Sequence, residues 1–131
     1  MYHNSFDESL QTFYQIIMYR EINTKELEEL VHAHADIELI DVREKIEWDQ
    51  IRIPSAKLLP LSSIQFRISE IDFSKPVYLF CRTGGRSGQV CGWLESQGMD
   101  VINVAGSIRQ LYQEQSDIIE ITDAFVPSYM S

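Results

Sequence analysis

Apolar positions recur along this chain with two spacings, and the two alternate. Over residues 5–20, Phe6, Leu10, Phe13 and Ile17 follow one another at steps of four, three and four, with Tyr14 and Met18 alongside. That stripe predicts an amphipathic helix. The helical spacing returns over 23–31 with Leu27, Leu30 and Val31, and Asn23 followed by Glu26 supplies a reciprocal cap at its start. Residues 37–42 form a short apolar run, a buried strand ending in Asp41 and Arg43. Ile53-Pro54-Ser55-Ala56 turns the chain into a short strand at 57–59, and Pro60 opens a helix predicted over 62–68. A proline-led apolar run at 75–80 predicts another buried strand, and 88–97, with Val90, Cys91, Trp93 and Leu94, a helix that Gly98 stops. Residues 100–104 read as a last strand and 106–112 as a helix with Ile108, Leu111 and Tyr112 inward.

Strands and helices thus alternate through 21–113, which predicts an α/β fold: an open parallel sheet with helices on both faces. The helix at 1–20 stands before that unit as an extension. It is expected to cover an edge of its own domain, and a homodimer or partner surface is the second reading. Beyond the unit, Ile118, Ile119, Ile121, Ala124 and Phe125 are too apolar for a free tail. The segment 114–131 is therefore expected to pack on the domain, with the N-terminal helix as one candidate surface. No internal repeat or low-complexity stretch interrupts the pattern.

Composition narrows the function. At 131 residues, with 44% hydrophobic and 24% charged positions, the chain suits one globular domain. A net charge of −9 argues against non-specific nucleic-acid binding and against anionic membrane surfaces. No stretch of about eighteen apolar residues predicts a membrane span, and the N-terminus has no basic-then-apolar order of a signal peptide. Two cysteines make no disulfide framework, and a working thiolate suits a reducing compartment, so cytoplasm is the expected location.

The candidate chemistry sits at the junction of the 75–80 strand and the next helix: Cys81-Arg82-Thr83-Gly84-Gly85-Arg86-Ser87. Gly84 and Gly85 let the turn curl until its N–H groups point inward. The free N–H groups and positive dipole end of the helix, expected to open near Ser87, aim at the same place. Arg86 adds a fixed positive charge, and Arg82 another near the mouth. A thiolate there is favoured over the thiol, making Cys81 a nucleophile at neutral pH. The alternative for a lone cysteine, a structural thiol beside a turn, gives way to the conjunction of strand, glycine pair, arginines and helix start.

These residues also carry a likeness. Cys81 to Ser87 resembles the active-site loop of the rhodanese family of sulfurtransferases. Asp41-Val42-Arg43-Glu44 with Glu47-Trp48 and Ile53-Pro54-Ser55-Ala56 is similar to its upstream signature, and Asn103-Val104-Ala105-Gly106-Ser107-Ile108 to its downstream one. The family usually has Gly-His at 51–52, glycine at 55, Gly-Gly at 106–107 and tryptophan near 111, where this chain has Ile51-Arg52, Ser55, Ser107 and Leu111. The resemblance covers roughly residues 21–113. It implies a five-stranded rhodanese-like sheet and a sulfurtransferase of the thiosulfate:cyanide class. Cys81 would become a persulfide, and residues 82–87 (Arg82, Thr83, Gly84, Gly85, Arg86, Ser87) would bind the donor anion, Arg86 orienting it. A thiol or protein cysteine would accept the sulfur, with no metal or cofactor. Phosphatases and arsenate reductases of related fold resemble Cys-x5-Arg, whereas Arg86 makes Cys-x4-Arg here, a cradle sized for sulfur.

Asp41 and Arg43 are implied to support the site, an internal ion pair such as Arg43 with Glu47 being their expected role. Cys91 is expected to be a packed, inert thiol rather than a resolving one. His3, His32 and His34 show no metal spacing, Trp48 and Trp93 read as packing residues, and Glu26-Glu28-Glu29 as a solvated face. A non-catalytic binding or regulatory module, and a Cys81–Cys91 redox enzyme, are the alternatives to the transferase.

Overall fold

A computed structural model describes residues 19–131, and the N-terminal helix with its dimer surface lies outside that range except for its last two positions. There Arg20 already belongs to a strand, β1 (Arg20–Ile22). The chain continues through α1 (Thr24–His32), β2 (Glu38–Asp41), α2 (Lys45–Trp48), β3 (Ile51–Arg52) and β4 (Lys57–Leu58). After two 3-10 turns come β5 (Val77–Phe80), α3 (Gly85–Ser96), β6 (Ile102–Val104), α4 (Ser107–Gln113) and β7 (Glu120–Ile121).

Five strands form a parallel sheet in the order β1-β6-β5-β2-β4. The central strand β5 is buried along its whole length, as a parallel strand covered on both faces must be. Its side chains alternate strictly. Tyr78 and Phe80 join Leu39, Ile102 and Val104 beneath α1 and α4, while Val77, Leu79 and Cys81 join Ile40, Val42 and Val101 beneath α3. Cys81 and Asn103 therefore lie on the face that α3 covers.

Local signals set several boundaries. Asn23 caps α1: its Oδ1 accepts the Glu26 N–H at 2.8 Å, and Glu26 Oε1 accepts the Asn23 N–H at 3.0 Å. Gly98, at φ +87°, ends α3 in the left-handed conformation a helix stop favours. The helix predicted over 62–68 is not formed. Its place is taken by 3-10 turns at Ile64–Phe66 and Ile68–Glu70, closed by the i→i+3 bonds Phe66 N–H to Ser63 O and Ile71 N–H to Ile68 O. Ser63 makes no side-chain cap that would start a longer helix. Ile64 and Ile71 still reach the core.

The C-terminal segment packs against α1, α4 and β3. β7 pairs antiparallel with β3, Ile118 and Met130 are buried, and Phe125 stacks at 5.3 Å on Tyr112. Its last residues, through a 3-10 turn at Pro127–Met130, reach the loop after β5. Among the described residues no helix is long and apolar enough to cross a membrane.

Candidate active site

Cys81 follows the last residue of β5, and the chain then curls back so that α3 starts above it. The curl depends on Gly84, the residue before α3, which holds φ +105°. A side chain there would force a strained left-handed backbone. The turn aims donors at the Cys81 sulfur: the Gly84 N–H at 3.1 Å, the Ser87 N–H at 3.5 Å and the Ser87 hydroxyl at 3.4 Å. Thr83 and Gly85 face solvent at the tip. The helix opens at Gly85, two residues earlier than its sequence suggests, which brings its first N–H groups to the sulfur.

Cys81 is 1% exposed, so these bonds act away from water. Burial pushes its thiol up. The bonds from the Ser87 hydroxyl and from the Ser87, Gly84 and Thr83 amides outweigh it and hold the thiol below its ordinary value. Cys91, 0% exposed and ten residues further on in α3, shows the opposite outcome. Burial, with Glu95 and Glu21 adding repulsion, drives its thiol far up, and it is the inert packing cysteine its apolar neighbours indicated. The core between α3 and the sheet thus holds two buried thiols with opposite tendencies.

The loop is pinned from below by the start of α4. Ile108 and Arg109 donate their N–H groups to the carbonyls of Cys81 and Arg82 at 3.2 and 2.9 Å. The Ser107 hydroxyl accepts the Cys81 N–H at 3.1 Å and donates to Val104 O at 2.8 Å. Ser107 sits at φ +49°, where glycine would be less strained, and its hydroxyl bridges the strand end to Cys81 in exchange. This function was not evident in the sequence, where Ser107 registered only as a departure from Gly-Gly.

Asp41 and Arg43 lie buried at the end of β2, and their pairing differs from the one expected. Arg43, 0% exposed, binds both oxygens of Asp41, with contacts of 3.0, 3.1 and 2.7 Å, and donates to Ile51 O at 2.6 Å and to the Tyr129 hydroxyl at 3.2 Å. Only the Glu47 backbone carbonyl lies near it, at 3.5 Å. Burial opposes the guanidinium charge, but the Asp41 bonds outweigh it and keep Arg43 protonated. The geometric reason is short reach: Arg43 lies two residues from Asp41 at a strand end, whereas the Glu47 carboxylate on α2 points to the loop.

There Glu47 grips Arg86 with two bonds of 2.8 and 2.7 Å and accepts the Tyr129 hydroxyl at 2.6 Å. Burial raises the Glu47 carboxyl, yet the bonds from Arg86, Tyr129 and the Glu44 N–H pull it down to about 2. Arg86 is therefore half of an ion pair and not a free cation. Arg82 turns from the mouth, donating to Tyr129 O at 2.7 Å and Ser131 O at 2.8 Å and lying over the Tyr129 ring at 5.6 Å. The amides at the sulfur and the N-terminal end of α3 add positive potential there. Tyr129, outside every motif, links Arg43, Glu47 and Arg82, and no spacing in the sequence signals that role.

The family model described as rhodanese-like domain matches residues 23–114. A protein of Allochromatium vinosum named sulfurtransferase is 38% identical over 92 residues, spanning 70% of this chain and 86% of its own. A Coxiella burnetii protein named thiosulfate sulfurtransferase is 33% identical over 82 residues, 63% of this chain and 76% of its own. The crystal structure of a rhodanese-like domain protein from Staphylococcus aureus superposes with a TM-score of 0.67 at 29% identity, covering 79% of this chain and 99% of that one. With its parallel five-stranded sheet and the cysteine loop after the central strand, this chain belongs to the rhodanese-like domain family.

Proposed function

We propose that this rhodanese-like sulfurtransferase carries a sulfane sulfur on Cys81, taken from thiosulfate or a persulfide and passed to a thiol or another sulfur-seeking acceptor. The observation that carries the reading is the set of hydrogen-bond donors at the Cys81 sulfur, from the Gly84 N–H and from the Ser87 N–H and hydroxyl. The Cys81 thiolate attacks the outer sulfur of the donor. Its sulfur–sulfur bond breaks, and sulfite, or the donor thiolate, leaves with the electron pair. The persulfide anion stays in the same amide cradle until an acceptor nucleophile attacks its outer sulfur and Cys81 departs as thiolate. Atoms and charge balance in both halves, so ping-pong kinetics are expected.

The experiment is intact-mass measurement after incubation with thiosulfate or a persulfide donor. A gain of one sulfur atom, lost again on adding cyanide, is expected. No gain with any donor would contradict the proposal and favour a binding module.

Donor choice follows from the Arg86–Glu47 pair. Because Glu47 offsets the Arg86 charge, a dianionic donor meets little net positive charge beyond the amides. Glu47→Gln leaves Arg86 unopposed and is expected to lower the KM for thiosulfate a few-fold, on the scale of the ~1 kcal/mol of a partly exposed ion pair. A persulfide donor of low charge should respond little. Parallel changes for both donors would contradict the charge account.

A further inference from the structure

Beneath the loop, Asn103 makes contacts that the transfer chemistry has not used. Its Nδ2 group donates to Gly84 O at 3.2 Å and to Glu21 Oε2 at 3.0 Å, while its buried Oδ1 accepts no hydrogen bond among the described residues. An unpaired buried oxygen is costly, and structures that keep one have a reason. Turning the amide over would set that oxygen against the Gly84 carbonyl and the Glu21 carboxylate, so the bonds themselves assign its orientation.

We propose that Asn103 is a positioning residue for Cys81, directing the single hydroxyl proton of Ser87 onto the sulfur. Ser87 Oγ has two acceptors within reach, Gly84 O at 3.3 Å and Cys81 Sγ at 3.4 Å. A serine in the first turn of a helix ordinarily bonds back to such a nearby carbonyl. Here Gly84 O already receives the Gly88 N–H at 2.9 Å and the Asn103 amide, which fills the two lone pairs of a carbonyl. The sulfur is then the acceptor left for the Ser87 proton. That bond stabilises the thiolate, and on the transfer reading above it also sets how much Cys81 is ready to attack.

The charged and titratable groups around Cys81 are few. Arg86 and Cys91 face it from α3, Arg86 being paired with Glu47 of α2 and with Tyr129 beyond; Glu95 of α3 and Glu21 of β1 add repulsion at Cys91, and Tyr19 is raised by burial, with Glu21 and Cys91 adding to it. Asn103 is uncharged, so replacing it by an uncharged residue adds no charge to this set.

The test is the pH dependence of Cys81 alkylation by iodoacetamide, localised by peptide mass, in Asn103→Leu, Ser87→Ala and the double variant. Asn103→Leu is expected to raise the midpoint by about one pH unit, the scale of one hydrogen bond to a charged group. Ser87→Ala should raise it at least as much, and the double variant no further than Ser87→Ala alone. An unmoved midpoint in Asn103→Leu, or additive shifts, would overturn the proposal. Should Asn103→Leu not fold, by thermal melting, Asn103→Ala carries the same expectation with a smaller side chain. Alkylation needs no sulfur donor, so the two readings fail separately. Shifted midpoints without sulfur loading would sink the transfer reading alone, and loading with unmoved midpoints this inference alone.

Discussion

Cys81→Ser is expected to abolish sulfur loading while leaving the fold in place. Serine differs from cysteine by one atom, and the backbone of residue 81 keeps its bonds to Ser107 and Ile108. The Gly84 and Ser87 donors would then face a hydroxyl that stays protonated at neutral pH, because the cradle shifts a pKa by a few units at most. A neutral hydroxyl does not displace sulfite from a sulfane sulfur, so turnover should fall to background with any donor. The check is intact mass with thiosulfate and with a persulfide, beside thermal melting of the variant. A gain of one sulfur in a folded Cys81→Ser protein would move the chemistry elsewhere, and Cys91, buried and held protonated, offers no alternative.

Arg43→Met is expected to cost more stability than any single change at the loop. It would leave Asp41, 0% exposed, with only the residue-43 backbone N–H of the bonds Arg43 now gives it, and Ile51 O without its guanidinium donor. Breaking one side of such a pair typically costs about 3–5 kcal/mol. Tyr129 would also lose the guanidinium that its hydroxyl receives, loosening the segment that holds Glu47 and Arg82. Denaturant unfolding should therefore shift its midpoint markedly, and sulfur loading should fall with it through the loop. The double variant Asp41→Leu with Arg43→Met removes both charges and is expected to recover much of the loss. A single variant within about 0.5 kcal/mol of the parent, the range of ordinary surface changes, would contradict this expectation.

Much of this was legible in the sequence because the governing interactions are local. Strand β5 announces itself by its apolar run, α1 by the Asn23–Glu26 cap, and the cradle by glycines, arginine and helix start within seven residues. The parallel five-stranded sheet follows from the alternation of elements and from family likeness. What stayed hidden depends on distant partners or on very short elements. β3 and β7 hold two residues each and exist only as a pair across the fold. The four residues of α2 show no period, though the Glu47 carboxylate accepts the Glu44 N–H at its start. Arg82 and Arg86 read as free charges because Tyr129 and Glu47, which occupy them, lie 47 and 39 positions away. Asn103 and Ser107 are small polar residues in a motif whose spacing gives no hint of the atoms they reach. The helix expected over 62–68 gives way to two 3-10 turns, with no side-chain cap at Ser63 to start a longer helix.

Amides and one hydroxyl aimed at the Cys81 sulfur hold this buried thiol below its ordinary pKa. The pH midpoint of Cys81 alkylation in the parent protein tests it most directly, with Cys91 as the internal reference. The account predicts a Cys81 midpoint below the ~8.5 of an ordinary cysteine, with Cys91 unreactive across the same range while the protein stays folded. A Cys81 midpoint at or above that ordinary value would mean that burial outweighs the donors, and the account would fail.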